Sequence, residues 1–326
     1  MLKHSFSSTS ISNITQTIQS GNMGFGPLVK QLESSFNIIN NQHNIATNSA
    51  SAAAFMIFDY LKEKYGRCEV YVPSLTFNSP VWAAKHFDHK IIFVDVNDEL
   101  LFDCSDYLEK STIPPWKDST GLKKVVMPTL YGGVSNIEGW QLRGDEIVVV
   151  DAAHCPIPTI KYDFAFTSFH PTKPICSPDG GMIFTPNKEA ADYFYSYRNF
   201  GRKNLSEGYD IIQNGFKFYM NNLSAAIALE SLKDYSKNLE IRKKNFILIK
   251  DKFEGRFLKH DENSSYYFTT LITDQAEEIN KRYNLSKHYP MLHKTTYYNN
   301  CNLPNTEKLH PQIVNLPLYD INIYNS

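Results

Sequence analysis

The stretch EIVVVDAAHCPIPTIKYDFAFTSFHPTKPICSPDGGMIFT (146–185) decides the fold. It holds three short apolar runs, 146–153, 163–169 and 181–185, each bounded by turn residues. Runs without a polar face, rich in Val, Ile and Phe, are strands buried on both sides. Upstream the same pattern recurs in VVMPTL (125–130), IIFVDV (91–96) and residues 69–72. Between these runs the sequence turns helical. Pro27 suits the first turn of a helix over 28–36, Ser49 caps one over 50–64, and another covers 79–86. Strands alternating with helices imply a largely parallel sheet covered on both faces. Downstream, 201–216, with Gly201, Gly208 and Gly215, reads as a long surface loop, and 221–253 as a strongly helical stretch. The mixed remainder, ending in LPLYD (316–320), reads as a small α/β unit. The expected division is a large domain over 1–235 and a shortened C-terminal domain over 236–326.

In an open parallel sheet, ligands bind beyond the carboxyl ends of the strands. The residues just after each strand are therefore the candidates. Asp151 closes an apolar strand, where a carboxylate is costly unless it is paired. Read alone, it caps the following turn. Given a cationic partner, it is a carboxylate that holds a protonated pyridine nitrogen, the device that keeps pyridoxal phosphate an effective electron sink. Lys173 is delivered to the same edge by the strand over 163–169. Most lysines are solvated surface groups, but a desolvated one loses its proton more easily and bonds to an aldehyde cofactor. Ser168, five residues earlier, can set its hydroxyl on a phosphate, and Gly180 and Gly181 permit the turn into the next strand. ATNSASAAA (46–54) is either an ordinary Ser-capped helix start packed closely by alanines or, with the hydroxyl of Ser51, an anion site. Phe77, in VPSLTFN (72–78), is either a core aromatic or a ring that stacks on a flat cofactor.

Composition narrows the partners. The 326 residues include 33 basic and 34 acidic side chains, a formal net charge of −1. That balance leaves no electrostatic footprint for nucleic acid or an anionic membrane. Any anionic ligand must be held by a local pocket. Five scattered cysteines (68, 104, 155, 176 and 301), with no CxxC pair, argue against a disulfide framework, a zinc ribbon or any metal centre, and for a reducing compartment. The opening MLKHSFSSTSISNITQ lacks the apolar core of a signal peptide, and no apolar run approaches the roughly 20 residues that span a bilayer. A cytoplasmic protein is expected.

Taken in order, these motifs resemble the DegT/DnrJ/EryC1/StrS family of pyridoxal-phosphate-dependent sugar aminotransferases, within the fold-type-I superfamily. The resemblance runs from about Gly21 to Leu318. The family's glycine-proline step and following glutamate match GFGPLVKQLE (24–33), and its phosphate loop matches Ser49-Ala50-Ser51. Its Pro-x-x-Thr-aromatic segment matches PSLTF (73–77), which implies that Phe77 stacks on the cofactor ring. Leu130-Tyr131-Gly132 matches a further family segment. The Asp-Ala-Ala-His segment on 151–154 assigns Asp151 to the pyridine nitrogen and His154 to the neighbourhood of the phenolic oxygen. The Ser-Phe-His-x-x-Lys segment on 168–173 implies that Ser168 binds phosphate and that Lys173 bonds to the cofactor. GFKFYMNNLSAAIALESL (215–232) aligns so that Lys217, where Asn is commoner, reaches the phosphate held by the neighbouring subunit. HYPMLH (288–293) and VNLPLY (314–319) match the small domain. The chain departs in having Ala50 and Ser51 for glycine and threonine, a short spacing from Asp151 to Lys173, and an early end where relatives carry a further helix.

The resemblance implies an α/β fold of type I and a homodimer with shared active sites. It also implies transfer of an amino group from glutamate or glutamine to a nucleotide-linked keto-sugar. The Ser-Phe-His-Pro-x-Lys-Pro form is more like members acting at C-4 of 4-keto-6-deoxy sugars than at C-3. A sugar dehydratase of the same family is a second reading, against which Lys173 counts, because those relatives carry histidine there. A non-catalytic regulator or assembly partner is a third, against which the presence of both Asp151 and Lys173 counts.

Overall fold

The two apolar faces of each strand in the quoted stretch sort into two different cores. Val149, Phe166 and Ile183 pack into one, while Val150, Ala165, Met182 and Phe184 pack into the other. This period-two division is what a sheet covered on both faces requires. The computed structural model describes residues 6–112, 121–285, 287, 289–298 and 300–324. Of the HYPMLH segment, His288 lies outside the described residues.

The chain opens with helices α1 (Ser8–Gln19) and α2 (Pro27–Asn40), then strand β1 (His43–Thr47) and α3 (Ala50–Tyr65). There follow β2 (Cys68–Pro73), α4 (Asn78–His86), β3 (Lys90–Val94), α5 (Cys104–Ser111), β4 (Lys123–Val126), β5 (Ile147–Asp151), β6 (Phe164–Ser168) and β7 (Gly181–Thr185). The seven strands form one sheet in the order β1-β7-β6-β5-β4-β2-β3. Only β7 opposes its neighbours, so the carboxyl ends of the other six point the same way. Helix α3 lies on one face with Met56, Ile57, Phe58 and Leu61 fully buried, and α2 covers the other face through Val29, Leu32 and Phe36.

β1 is an edge strand, and side chains close its open backbone groups. Tyr195 donates to the Asn44 carbonyl, Arg198 to the Ala46 carbonyl at 2.5 Å, and the Ala46 N–H donates to Glu33 Oε1 at 2.9 Å. Glu33 and Arg198 are themselves a buried ion pair at 2.5 Å. The edge is thereby protected from adventitious strand pairing, and the segment after Ala46, which leads into α3, is fixed in place.

After α6 (Lys188–Tyr197) the expected loop over 201–216 is instead a small ribbon, β8 (Arg202–Asn204) paired antiparallel with β9 (Tyr209–Ile211). Its strands are short, mostly polar and largely exposed, so they carry none of the apolar alternation that marks a strand in sequence. The helical stretch over 221–253 is two helices, α7 (Asn222–Lys233) and α8 (Tyr235–Lys252), meeting at Asp234. VVMPTL supplies a strand only as far as Val126, since Pro128 has no N–H for the ladder. Strands β10 (Arg256–Phe257), β11 (Phe268–Ile272) and β12 (Ile313–Pro317) form a separate antiparallel sheet. Helix α9 (Ala276–Arg282) packs on it, while α10 (Pro304–Leu309) is capped from the large sheet by Asp95, which accepts the N–H groups of Asn305 and Thr306. Leu292, Tyr298 and Leu303 likewise pack into a core of the large sheet rather than that of the small one.

Candidate active site

Three strand ends meet where β7 begins. Gly181 pairs with Thr47 at the end of β1 and with Ser168 at the end of β6. A Cβ on Gly181 would lie 2.5 Å from the Ala50 nitrogen, so only glycine lets the phosphate-loop candidate sit this close to the sheet. Ser49 caps α3 by accepting from the Ala52 N–H at 3.1 Å. The N–H groups of Ala50 and Ser51 find no acceptor among the described residues. They are unsatisfied donors at the positive end of a 16-residue helix, as an anion site needs. The Ser51 hydroxyl lies 2.8 Å from that of Ser79, at the start of α4. Ser168 accepts from the His170 N–H at 3.2 Å.

One strand further in, β5 delivers Asp151, which is 3% exposed. Its Oδ1 accepts from the Ala153 N–H at 3.0 Å. Burial pushes this carboxyl up from its ordinary range, against the pull of that N–H and of the Lys173 charge. Lys173 is pushed in the opposite direction, down, because burial penalises its ammonium more than Asp151 stabilises it. Its Nζ makes no hydrogen bond among the described residues, and it lies 4.7 Å from the centroid of the Tyr267 ring. An amine in this state is poised to attack an aldehyde, and the carboxylate beside it is poised to receive a cation.

His154 is buried, its Nε2 2.8 Å from the Tyr289 hydroxyl. Its ring stacks on that of Tyr289 with an interplanar angle of 11° and lies 4.7 Å from the Tyr267 ring. Phe77 is 55% exposed, its centroid 6.1 Å from that of Tyr289. A large aromatic left open at the sheet's ligand edge, flanked by further rings, offers a flat cofactor a face to stack on. A buried carboxylate, a desolvated amine, an open ring and free N–H groups at a helix start together fit pyridoxal 5′-phosphate.

Contacts thus link Lys173, His154 and Phe77 through Tyr267 and Tyr289, Asp151 acts on Lys173 through its charge, and Ala50 and Ser168 meet at Gly181. Lys217 stands apart. It is exposed, and its carbonyl accepts from Asn48 Nδ2 at 3.2 Å, just before the phosphate-loop candidate. Sequence reasoning missed Tyr267 and Tyr289, which enter from beyond the large sheet. The only trace of them is the position of Tyr289 inside the HYPMLH segment.

The DegT/DnrJ/EryC1/StrS aminotransferase family model matches residues 5–321. The spore coat polysaccharide biosynthesis protein SpsC of Bacillus subtilis (strain 168) is 26% identical over 354 aligned positions, which cover 95% of this chain and 89% of that protein. Among solved structures, Helicobacter pylori PseC, an aminotransferase involved in the biosynthesis of pseudoaminic acid, superposes with a TM-score of 0.86 at 17% identity, covering 98% of this chain and 95% of the other. The PLP form of Spr1654 from Streptococcus pneumoniae gives a TM-score of 0.82 at 22% identity, covering 99% of this chain and 96% of the other.

Proposed function

Since the chain belongs to the DegT/DnrJ/EryC1/StrS aminotransferase family, whose enzymes depend on pyridoxal 5′-phosphate, we infer that it moves an amino group from glutamate or glutamine to a nucleotide-linked keto-sugar. We take the acceptor to be a 4-keto-6-deoxy sugar and the product a glycan precursor; the polysaccharide and pseudoaminic-acid roles named for SpsC and PseC support a glycan pathway. The observation that carries the reading is that buried Asp151, at the end of β5, and the desolvated amine of Lys173, in the segment after the adjacent β6, lie close enough for each charge to act on the other. We place the reaction in the cytoplasm, where the five cysteines, all free thiols, stay reduced. Among the described residues no helix is long and apolar enough to cross a membrane.

Bound pyridoxal phosphate supplies the electron sink and carries the amino group between donor and acceptor. The N–H groups of Ala50 and Ser51, with the hydroxyls of Ser51 and Ser168, bind its phosphate. Phe77 orients the ring, Asp151 holds a proton on the ring nitrogen, and His154 stands by the phenolic oxygen. Lys173 would bond to the cofactor at rest, and its Nζ, when free, would take the proton from the amino-bearing carbon and return it later in the exchange, as a general base and then acid. The acceptor is tested by mixing the aminated enzyme with a panel of nucleotide-linked keto-sugars and following the cofactor spectrum. A 4-keto-6-deoxy sugar is expected to restore the aldehyde-form band; restoration by none of the panel, while 2-keto acids restore it, would sink the sugar reading.

Lys217 is proposed to reach the phosphate of a second subunit, so that the working unit is a symmetric dimer. Its exposure within its own chain is consistent with that role. Co-expression of a Lys173→Ala chain with a Lys217→Ala chain tests it. With shared sites, the heterodimer carries both defects in one pocket and regains activity in the other. A Lys217→Ala homodimer that binds the cofactor as tightly as wild type would remove the cross-subunit role.

A further inference from the structure

The amine of Lys173 lies over the ring of a residue that belongs to neither its strand nor its sheet. Tyr267 comes from the lead-in to β11 and is 7% exposed. Its hydroxyl is 3.1 Å from Thr172 Oγ1, and Thr172 Oγ1 is 3.0 Å from His170 Nδ1. The residue before the lysine is therefore tied to the ring beneath the lysine. The backbone under the ring is fixed too: the Ser265 N–H donates to the Gly133 carbonyl at 2.7 Å, and the Ser265 hydroxyl to the His154 carbonyl at 2.5 Å.

We propose that Tyr267 is a positioning residue for Lys173, its π face holding the ammonium in place. The inference rests on Lys173 being the reactive amine. A cation over an aromatic face is attracted by the ring quadrupole, more strongly when water is excluded. Among the described residues, the charged and titratable groups around the amine are Asp151 at the end of β5, Tyr267 itself, and behind them His154, Tyr289 and His170. Asp151 and the Tyr267 face both favour the ammonium, and burial opposes them. The ring thus sets how much neutral amine is present near neutral pH, and from which direction it meets an aldehyde.

Competitive acylation of the full-length chain after removal of the cofactor, quantified on the peptide containing Lys173 across a pH series, reads this amine directly. Tyr267→Leu removes the face and is expected to move the labelling midpoint down by about one pH unit. Tyr267→Phe keeps the face and is expected to stay within about 0.3 units of wild type. A Leu variant that titrates like wild type, or a Phe variant that shifts as far as Leu, overturns the proposal. If Tyr267→Leu does not fold, Tyr267→Met gives the same comparison. The wild-type curve separately reports on the site: a midpoint at the ordinary lysine value would speak against a desolvated Lys173, while the difference between variants still decides the role of Tyr267.

Discussion

Lys173→Ala is expected to hold pyridoxal phosphate without the covalent bond and to lose turnover by about 10² to 10⁴-fold, the range for a group that moves a proton in the transition state. The loss is chemical rather than structural. The amine makes no hydrogen bond among the described residues, and burial already penalises its charge. Removing it leaves Asp151 free to take up a proton, a change its raised carboxyl accommodates. Circular dichroism and a single-turnover assay with glutamate check both halves. Turnover within tenfold of wild type would remove Lys173 from the chemistry.

Asp151→Asn keeps the shape of the strand end and removes the charge. The amide cannot hold a proton on the ring nitrogen through an ion pair, so the negative charge that develops in proton abstraction is less well spread. A fall on the order of 10² to 10⁴ in rate is expected, by comparison with other preorganised electrostatic groups. The measurement is the rate of the donor half-reaction at saturating cofactor. Near-full activity with intact cofactor binding would reduce Asp151 to a turn cap through the Ala153 N–H it accepts.

Asp151 and Lys173 were legible because each follows an apolar run that can only be a buried strand, and a sheet's ligand edge is fixed by the direction of its strands. Gly181 was legible only as a turn; that it also admits Ala50 to within contact of the sheet depends on β7 running against β6, which periodicity does not encode. Tyr267 and Tyr289 were hidden for a different reason. SSYYFTT (264–270) and the residues around 289 mix polar and aromatic groups with no clear period, and their partners Lys173 and His154 lie 94 and 135 residues away in the chain. The break at Asp234 was unreadable as well. No glycine or proline stands between α7 and α8, and Asp234 itself keeps near-helical angles. The Glu33–Arg198 pair that closes the β1 edge joins two helices across the sheet and likewise has no local signature.

Everything above turns on Lys173 as the residue that bonds to the cofactor. Borohydride reduction of the yellow holoenzyme followed by peptide mapping tests it most directly. A single reduced pyridoxyl adduct is expected on the peptide carrying Ser168 to Lys173, placed on Lys173 by fragmentation. An adduct on any other lysine, Lys217 included, would contradict it.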